Sequence, residues 1–230
     1  MSTQTLAVDR PVQPAQRSWL TIPAMAGAAY TLAWVTGLSV SSSSTDVNST
    51  GAQVVTAYTG HEGAVVTQFV LTEGVASLCL AVVAVTLGRA GIRAGAASLG
   101  RAIAATGLAA AGIALVQCVL GVALAASVVP AGHEGTAGTL NDTINRLDGL
   151  KMFVLAALAV AGTVLARRTH ILPKWLAWVG ALLAVAIAAS GVGYALLNNA
   201  LSVAAWVSLP LLLVFITGAG IVLGRRSARR

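Results

Sequence analysis

Six apolar stretches, each long enough to cross a bilayer, take up most of this chain, and nearly all of its basic residues lie in alternate connections between them. The stretches run Trp19–Val40, Val65–Leu87, Ile103–Val129, Leu150–Ala166, Trp175–Leu197 and Ser202–Leu223. A helix needs about 20 apolar residues, within a range of roughly 17–25, to cross the hydrocarbon core. The stretches are continuous and rich in Ala, Leu and Val. They lack the two-residue alternation of a membrane β-strand. The pattern predicts an all-α, polytopic membrane bundle of six transmembrane helices. It places a tail over residues 1–18, the transmembrane domain over 19–224 and a basic tail over 225–230.

The basic residues predict the orientation. Arg10 and Arg17 precede the first stretch, and Arg89, Arg93 and Arg101 join the second to the third. Arg167, Arg168 and Lys174 join the fourth to the fifth, and Arg225, Arg226, Arg229 and Arg230 end the chain. Twelve of the fourteen Lys and Arg residues thus fall on one side. The opposite connections hold Arg146 and Lys151 with Asp46, Glu62, Glu134, Asp142 and Asp148. Cytoplasmic loops carry the excess of Lys and Arg, so both termini are expected in the cytoplasm. A basic start before an apolar run also fits a cleaved signal peptide. The first run, at 22 residues, exceeds the roughly 7–15 of such a segment.

This topology accounts for the net charge of +7 without nucleic acid, because the basic residues flank apolar runs and line no polar face. Only 9% of the residues are charged, against roughly 25% in soluble domains. The lipid bilayer is the expected partner, with a protein partner or a second copy of the chain beside it. Arg outnumbers Lys by twelve to two in an Ala-, Gly- and Val-rich background. That bias resembles GC-rich bacterial coding and points to a bacterial plasma membrane.

Small residues throughout the stretches suit close helix–helix approach in lipid. Trp19, Trp175, Trp178 and Trp206 lie near predicted span ends, where aromatic belts form. Pro210 lies inside the sixth stretch and is expected to free a backbone carbonyl there. The first external loop opens with Ser41-Ser42-Ser43-Ser44, and its segment Ala52–Tyr58 reads as a short interfacial helix. The third, Pro130–Gly149, reads as a polar loop, and the fifth, around Asn198 and Asn199, as a tight hairpin.

Glu73 is the one acidic residue well inside a predicted span. Intramembrane carboxylates are costly and usually face the bundle interior or water. Glu73 and Gln117 each lie fourteen residues from the inner end of their stretches, about 21 Å at 1.5 Å per residue. Equal depth lets them pair across neighbouring helices. Glu73, Gln117, Gln68 and Thr72 are therefore the candidate intramembrane polar site, for a proton or a ligand. A purely structural hydrogen bond is the alternative.

Gly60-His61-Glu62-Gly63 recurs as Gly132-His133-Glu134-Gly135, both on the external side. His61, Glu62, His133 and Glu134 are of the ligand types that bind Zn²⁺ or Cu²⁺. They lack the helical spacing of a zinc protease. A pair of solvated turns is the competing reading. Cys79 and Cys118 lie at different predicted depths, about 10 Å apart along the helix axes, beyond disulfide reach. Walker A, nucleophile-elbow and dinucleotide-binding patterns are absent from the sequence, and no cofactor or catalytic residue is expected.

The segment Arg167-Arg168-Thr169-His170-Ile171-Leu172-Pro173-Lys174-Trp175-Leu176-Ala177-Trp178-Val179-Gly180 is the most distinctive in the chain. Its short basic loop and the Leu-Pro-Lys-Trp-Leu opening of the fifth helix resemble a family of uncharacterised six-helix bacterial integral membrane proteins with a domain of unknown function. The resemblance implies a six-helix fold and no activity. Three function classes follow. The first is a non-enzymatic membrane protein acting as an accessory or sensing component. The second is a small transporter or channel with a polar site at Glu73. The third is a membrane-embedded enzyme, which would need polar residues clustered at one depth.

Overall fold

The computed structural model describes residues 22–40 and 45–227, which are helical apart from short turns. Arg10, Arg17, Trp19, Ser41–Ser44, Arg229 and Arg230 lie outside the described residues. The elements are α1 (Ile22–Val40), α2 (Gly51–Tyr58), α3 (Glu62–Phe69), α4 (Ala76–Arg93), α5 (Ala97–Ala123), α6 (Glu134–Thr169), α7 (Lys174–Ala195), α8 (Asn199–Ser202) and α9 (Ala205–Ser227). A π-helical segment, Val70–Val75, joins α3 and α4 into one 32-residue rod, and a second, Leu124–Val128, extends α5.

Five helical segments are long and apolar enough to cross a membrane: Glu62–Arg93, Ala97–Val128, Glu134–Thr169, Lys174–Ala195 and Asn199–Arg226. Helix α1, with 19 described residues, falls outside those five. It is nonetheless part of the bundle. The helices form a closed ring in the order α1, α4, α5, α6, α7 and α9, with α9 packed back against α1. At the closure, Thr217 Oγ1 donates to Gly27 O at 2.8 Å, and the Thr31 and Thr217 hydroxyls are 2.7 Å apart.

Chain alternation brings the C-termini of α4, α6 and α9 and the N-termini of α5 and α7 to one end. That end carries Arg89, Arg93, Arg101, Arg167, Arg168, Lys174, Arg225 and Arg226. At the opposite end the helices overshoot. The 36 residues of α6 span about 54 Å at 1.5 Å per residue, against a hydrocarbon core of roughly 30 Å. The expected polar loop Pro130–Gly149 is therefore corrected. Only residues 130–133 form a turn, and the remainder is the outer part of α6. The sequence between Glu134 and Gly149 is polar enough for water yet has small and apolar residues at helical spacing, so a helix can pack there outside the lipid.

That outer layer has its own core of Val54, Tyr58, Val65, Leu124, Ala125, Val129, Ala137 and Ile144. The short helix expected within Ala52–Tyr58 is present as α2, packed on α6. A helix of eight residues is marginal alone. Here Thr50 and Gln53 form a reciprocal capping box. A Cβ on Gly51 would collide with the Glu134 backbone, so glycine sets the close approach of α2 to α6.

The larger core fills the ring. Phe215 of α9 is fully buried, its ring seated over Gly162 of α6 and Gly180 of α7. The α4–α5 crossing is closer still: a Cβ on Gly88 would stand 2.6 Å from Gly100 O. Overpacking a close interface typically costs about 1–3 kcal/mol. Gly88→Val is expected to lower the melting temperature of the detergent-solubilised protein. Gly112→Ala, where an added Cβ meets nothing within 4 Å, leaves it unchanged.

Candidate functional site

Glu73 lies in the π-helical segment between α3 and α4, where the Ala76 N–H bonds Leu71 O five residues back. The wider turn sits between two close neighbours. A Cβ on Gly37 of α1 would meet Thr72 Cγ2 at 2.6 Å, and the Phe69 ring packs directly on Gly121 of α5. Glu73 is thereby pressed into the ring interior with 8% of its surface exposed.

The partner it finds there is Lys151. Lys151 Nζ lies 2.6 Å from Glu73 Oε2 and 2.6 Å from Asp148 Oδ1. Asp148 and Lys151 are three residues apart on α6, so one helical face presents both. Gln117 of α5 completes the group. Its Nε2 donates to Asp148 Oδ1 at 3.2 Å and to Ile144 O at 3.1 Å. Its Oε1 is buried without a hydrogen-bond partner. Tyr30 of α1, Tyr194 of α7 and Cys118 of α5 lie within electrostatic range of the same charges.

Depth is common to the three helices. Glu73, Gln117 and Lys151 are each sixteen residues from a basic residue near the far end of their own helix, Arg89, Arg101 and Arg167. At 1.5 Å per residue that is about 24 Å from the basic end.

Glu73 and Gln117, expected to pair directly, do not: Lys151 and Asp148 stand between the two. Lys151 and Asp148, expected in an external loop, are inside the bundle, so Glu73 is not the only carboxylate there. The Asp-x-x-Lys spacing at the start of the fourth apolar stretch was the available signal for them. Thr72 is buried but donates to Gln68 O at 2.9 Å, and Gln68 is half-buried. Among the described residues no hydrogen bond joins either to Glu73.

The Gly-His-Glu-Gly repeat marks two helix starts. Gly60 and Gly132 take φ of 79° and 69°, His61 and His133 are the N-cap residues of α3 and α6, and Glu62 and Glu134 open those helices. A carboxylate in the first turn complements the helix dipole. Glu62 Oε1 also accepts from the Gly60 N–H at 3.0 Å. The two copies are not gathered into one ligand set. Among the described residues no three His, Cys, Asp or Glu side chains are grouped to hold a metal ion.

At the basic end, His170 ends α6 in the left-handed region at φ 54°, and its carbonyl accepts from Arg226 Nη2 at 2.8 Å. The Arg167 guanidinium lies 5.4 Å from the Trp178 ring centre. Trp175, Trp178 and Trp206 all face outward. Both cysteines are free. Comparison with protein-family models, curated proteins and solved structures finds no match to the chain.

Removing one partner of a buried ion pair strands the other and typically costs about 3–5 kcal/mol. Lys151→Met leaves two carboxylates facing each other. Glu73→Gln leaves Lys151 still paired with Asp148. In chemical unfolding of the detergent-solubilised protein, Lys151→Met is expected to lose stability in that range and Glu73→Gln distinctly less.

Proposed function

We propose that this chain is a six-pass, non-enzymatic plasma-membrane protein with both termini in the cytoplasm, and that it senses external acidity through the Glu73–Lys151–Asp148–Gln117 cluster. The carrying observation is that a buried carboxylate, Glu73, and a half-buried one, Asp148, share one ammonium 2.6 Å from each. With all three groups ionised the cluster carries one excess negative charge. Charge in the hydrocarbon region is expensive, so one bound proton makes the cluster neutral. The cluster lies away from the basic end, directly beneath the outer helical layer. Ile144 links the two: its carbonyl accepts from Gln117 while its side chain belongs to the outer core. A proton arriving from outside therefore changes the hydrogen bonding of a residue that the outer layer packs upon.

Packing of α1 into the ring supports counting it as a sixth span, and the basic end supports the orientation. The resemblance of Arg167–Gly180 to the uncharacterised six-helix family belongs to the same proposal and adds no activity. As a sensing component the chain would act on a protein partner or on a second copy of itself. A small transporter is the second reading, favoured by the same excess charge, since a site that takes up a proton can also carry one.

Two measurements test this. Infrared difference spectra recorded as the pH is lowered are expected to show one new protonated-carboxyl band, lost in both Glu73→Gln and Asp148→Asn. A wild-type spectrum without that band ends the proton-sensing reading. Proton-driven flux in proteoliposomes, abolished by Glu73→Gln, would favour the transporter. For orientation, in a background lacking Cys79 and Cys118, Ala131→Cys is expected to react with a membrane-impermeant maleimide in intact cells. Ala94→Cys is expected to react only after permeabilisation.

A further inference from the structure

The basic end of the bundle contains a cavity of about 530 Å³ whose walls include His170, Pro173, Trp175, Ile221, Arg225 and Arg226. We propose that this cavity binds one anionic phospholipid, with the phosphate at the arginines and an acyl chain along the apolar wall. The inference is independent of the proton-binding cluster at the other end of the helices.

Three observations carry it. The first is the division of the lining. The lining combines Arg225 and Arg226, from the last turns of α9, and His170 with a larger apolar surface that includes Pro173, Trp175 and Ile221. An inorganic anion would match the arginines and leave that apolar surface uncovered. A zwitterionic lipid would match the apolar surface but bring a phosphate whose charge its own headgroup cation offsets. An anionic phospholipid satisfies both sides, because guanidinium groups bind phosphate oxygens through paired, charge-assisted hydrogen bonds. Basic sites between helices at the cytoplasmic side commonly hold such headgroups.

The second is that the basic side is held in place. Arg226 Nη2 donates to His170 O at 2.8 Å, tying the end of α9 to the α6–α7 connection. The first turn of α7 adds Lys174 and contains no acidic residue. Nearby, Arg167 is stacked on Trp178.

The third is access from the lipid. Trp175 is 52% exposed and Ile221 is 37% exposed, so the apolar side opens on the outer surface of the bundle, where acyl chains lie. The volume falls within the roughly 300–1,000 Å³ of sites that enclose small ligands, enough for a headgroup and part of one chain.

The test uses the full chain in detergent, examined by native mass spectrometry with phosphatidylglycerol, with phosphatidylcholine of the same acyl chains, and with inorganic phosphate as competitor. One phosphatidylglycerol is expected to bind about tenfold more tightly than phosphatidylcholine and to resist millimolar phosphate. Arg225→Gln with Arg226→Gln is expected to remove that preference. Ile221→Trp, which fills the cavity and keeps both arginines, is expected to weaken binding of the lipid itself. Should the arginine variant fail to fold, Ile221→Trp alone decides. Equal binding of the two lipids overturns the proposal, as does displacement by phosphate, which would mark a free-anion site. Unchanged phosphatidylglycerol binding in either variant overturns it too.

Discussion

The Lys151 ammonium, shared between a carboxylate of its own helix and one from the π-helical segment of a neighbour, is the interaction on which the interior depends. Charges this deeply buried tolerate little error: an ion left without its partner carries an effective penalty of several kcal/mol. Sliding α6 by one residue would move Lys151 about 1.5 Å along the axis and turn it about 100°, breaking the contact with Glu73. The pair therefore fixes the register of α6 against the α3–α4 rod. Gln117 ties α5 to the same point, and Tyr30 and Tyr194 bring α1 and α7 within range of the charges. Apolar packing of Ala, Leu and Val could be satisfied in several registers, whereas the polar cluster is satisfied in one.

The overshoot of the helices away from the basic end gives this cluster its setting. Because α6 continues outward from Asp148 to Glu134 without a break, the outer layer is an extension of the helices that carry the charges. Asn145 Nδ2 donates to Val47 O at 3.3 Å, and Asn199 Nδ2 donates to Asn48 Oδ1 at 2.9 Å. The segment between α1 and α2 is thus joined to α6 and to the turn after α7. One turn of α6 separates the cluster from this layer, since Ile144 and Asp148 stand four residues apart on it. The basic end is built differently, around left-handed turn residues at Gly95 and His170 and an Arg-to-carbonyl contact.

Much of this was legible in the residues. Length and composition marked the apolar helices, and α7 opens at Lys174, one residue from the expected Trp175, whereas α4 runs on to Arg93 and α5 begins at Ala97, each six residues beyond the expected Leu87 and Ile103. Equal depth of Glu73 and Gln117 was legible too, by counting from the inner edge. Lys151 and Asp148 were misassigned because a charge beside an apolar run reads as a boundary. The Asp-x-x-Lys spacing offers Lys151 a local partner, but the second carboxylate, Glu73, comes from a helix 78 positions earlier in the chain. The Gly-His-Glu-Gly repeat was misleading in the opposite sense: metal-ligand chemistry was available in the side chains, while the backbone used them to start two helices.

Sequence alone determined the helical class, the solvent of the apolar faces and the segregation of positive charge to one end. Each follows from the composition of contiguous residues, because lipid compatibility and helix formation are local properties. Tertiary structure decided that α6 runs on for 36 residues and that two π-helical turns interrupt the helices. It also decided that a lysine expected in water stands between two carboxylates in the core. These depend on what faces each residue across the bundle, and burial of a charge is set by its partner.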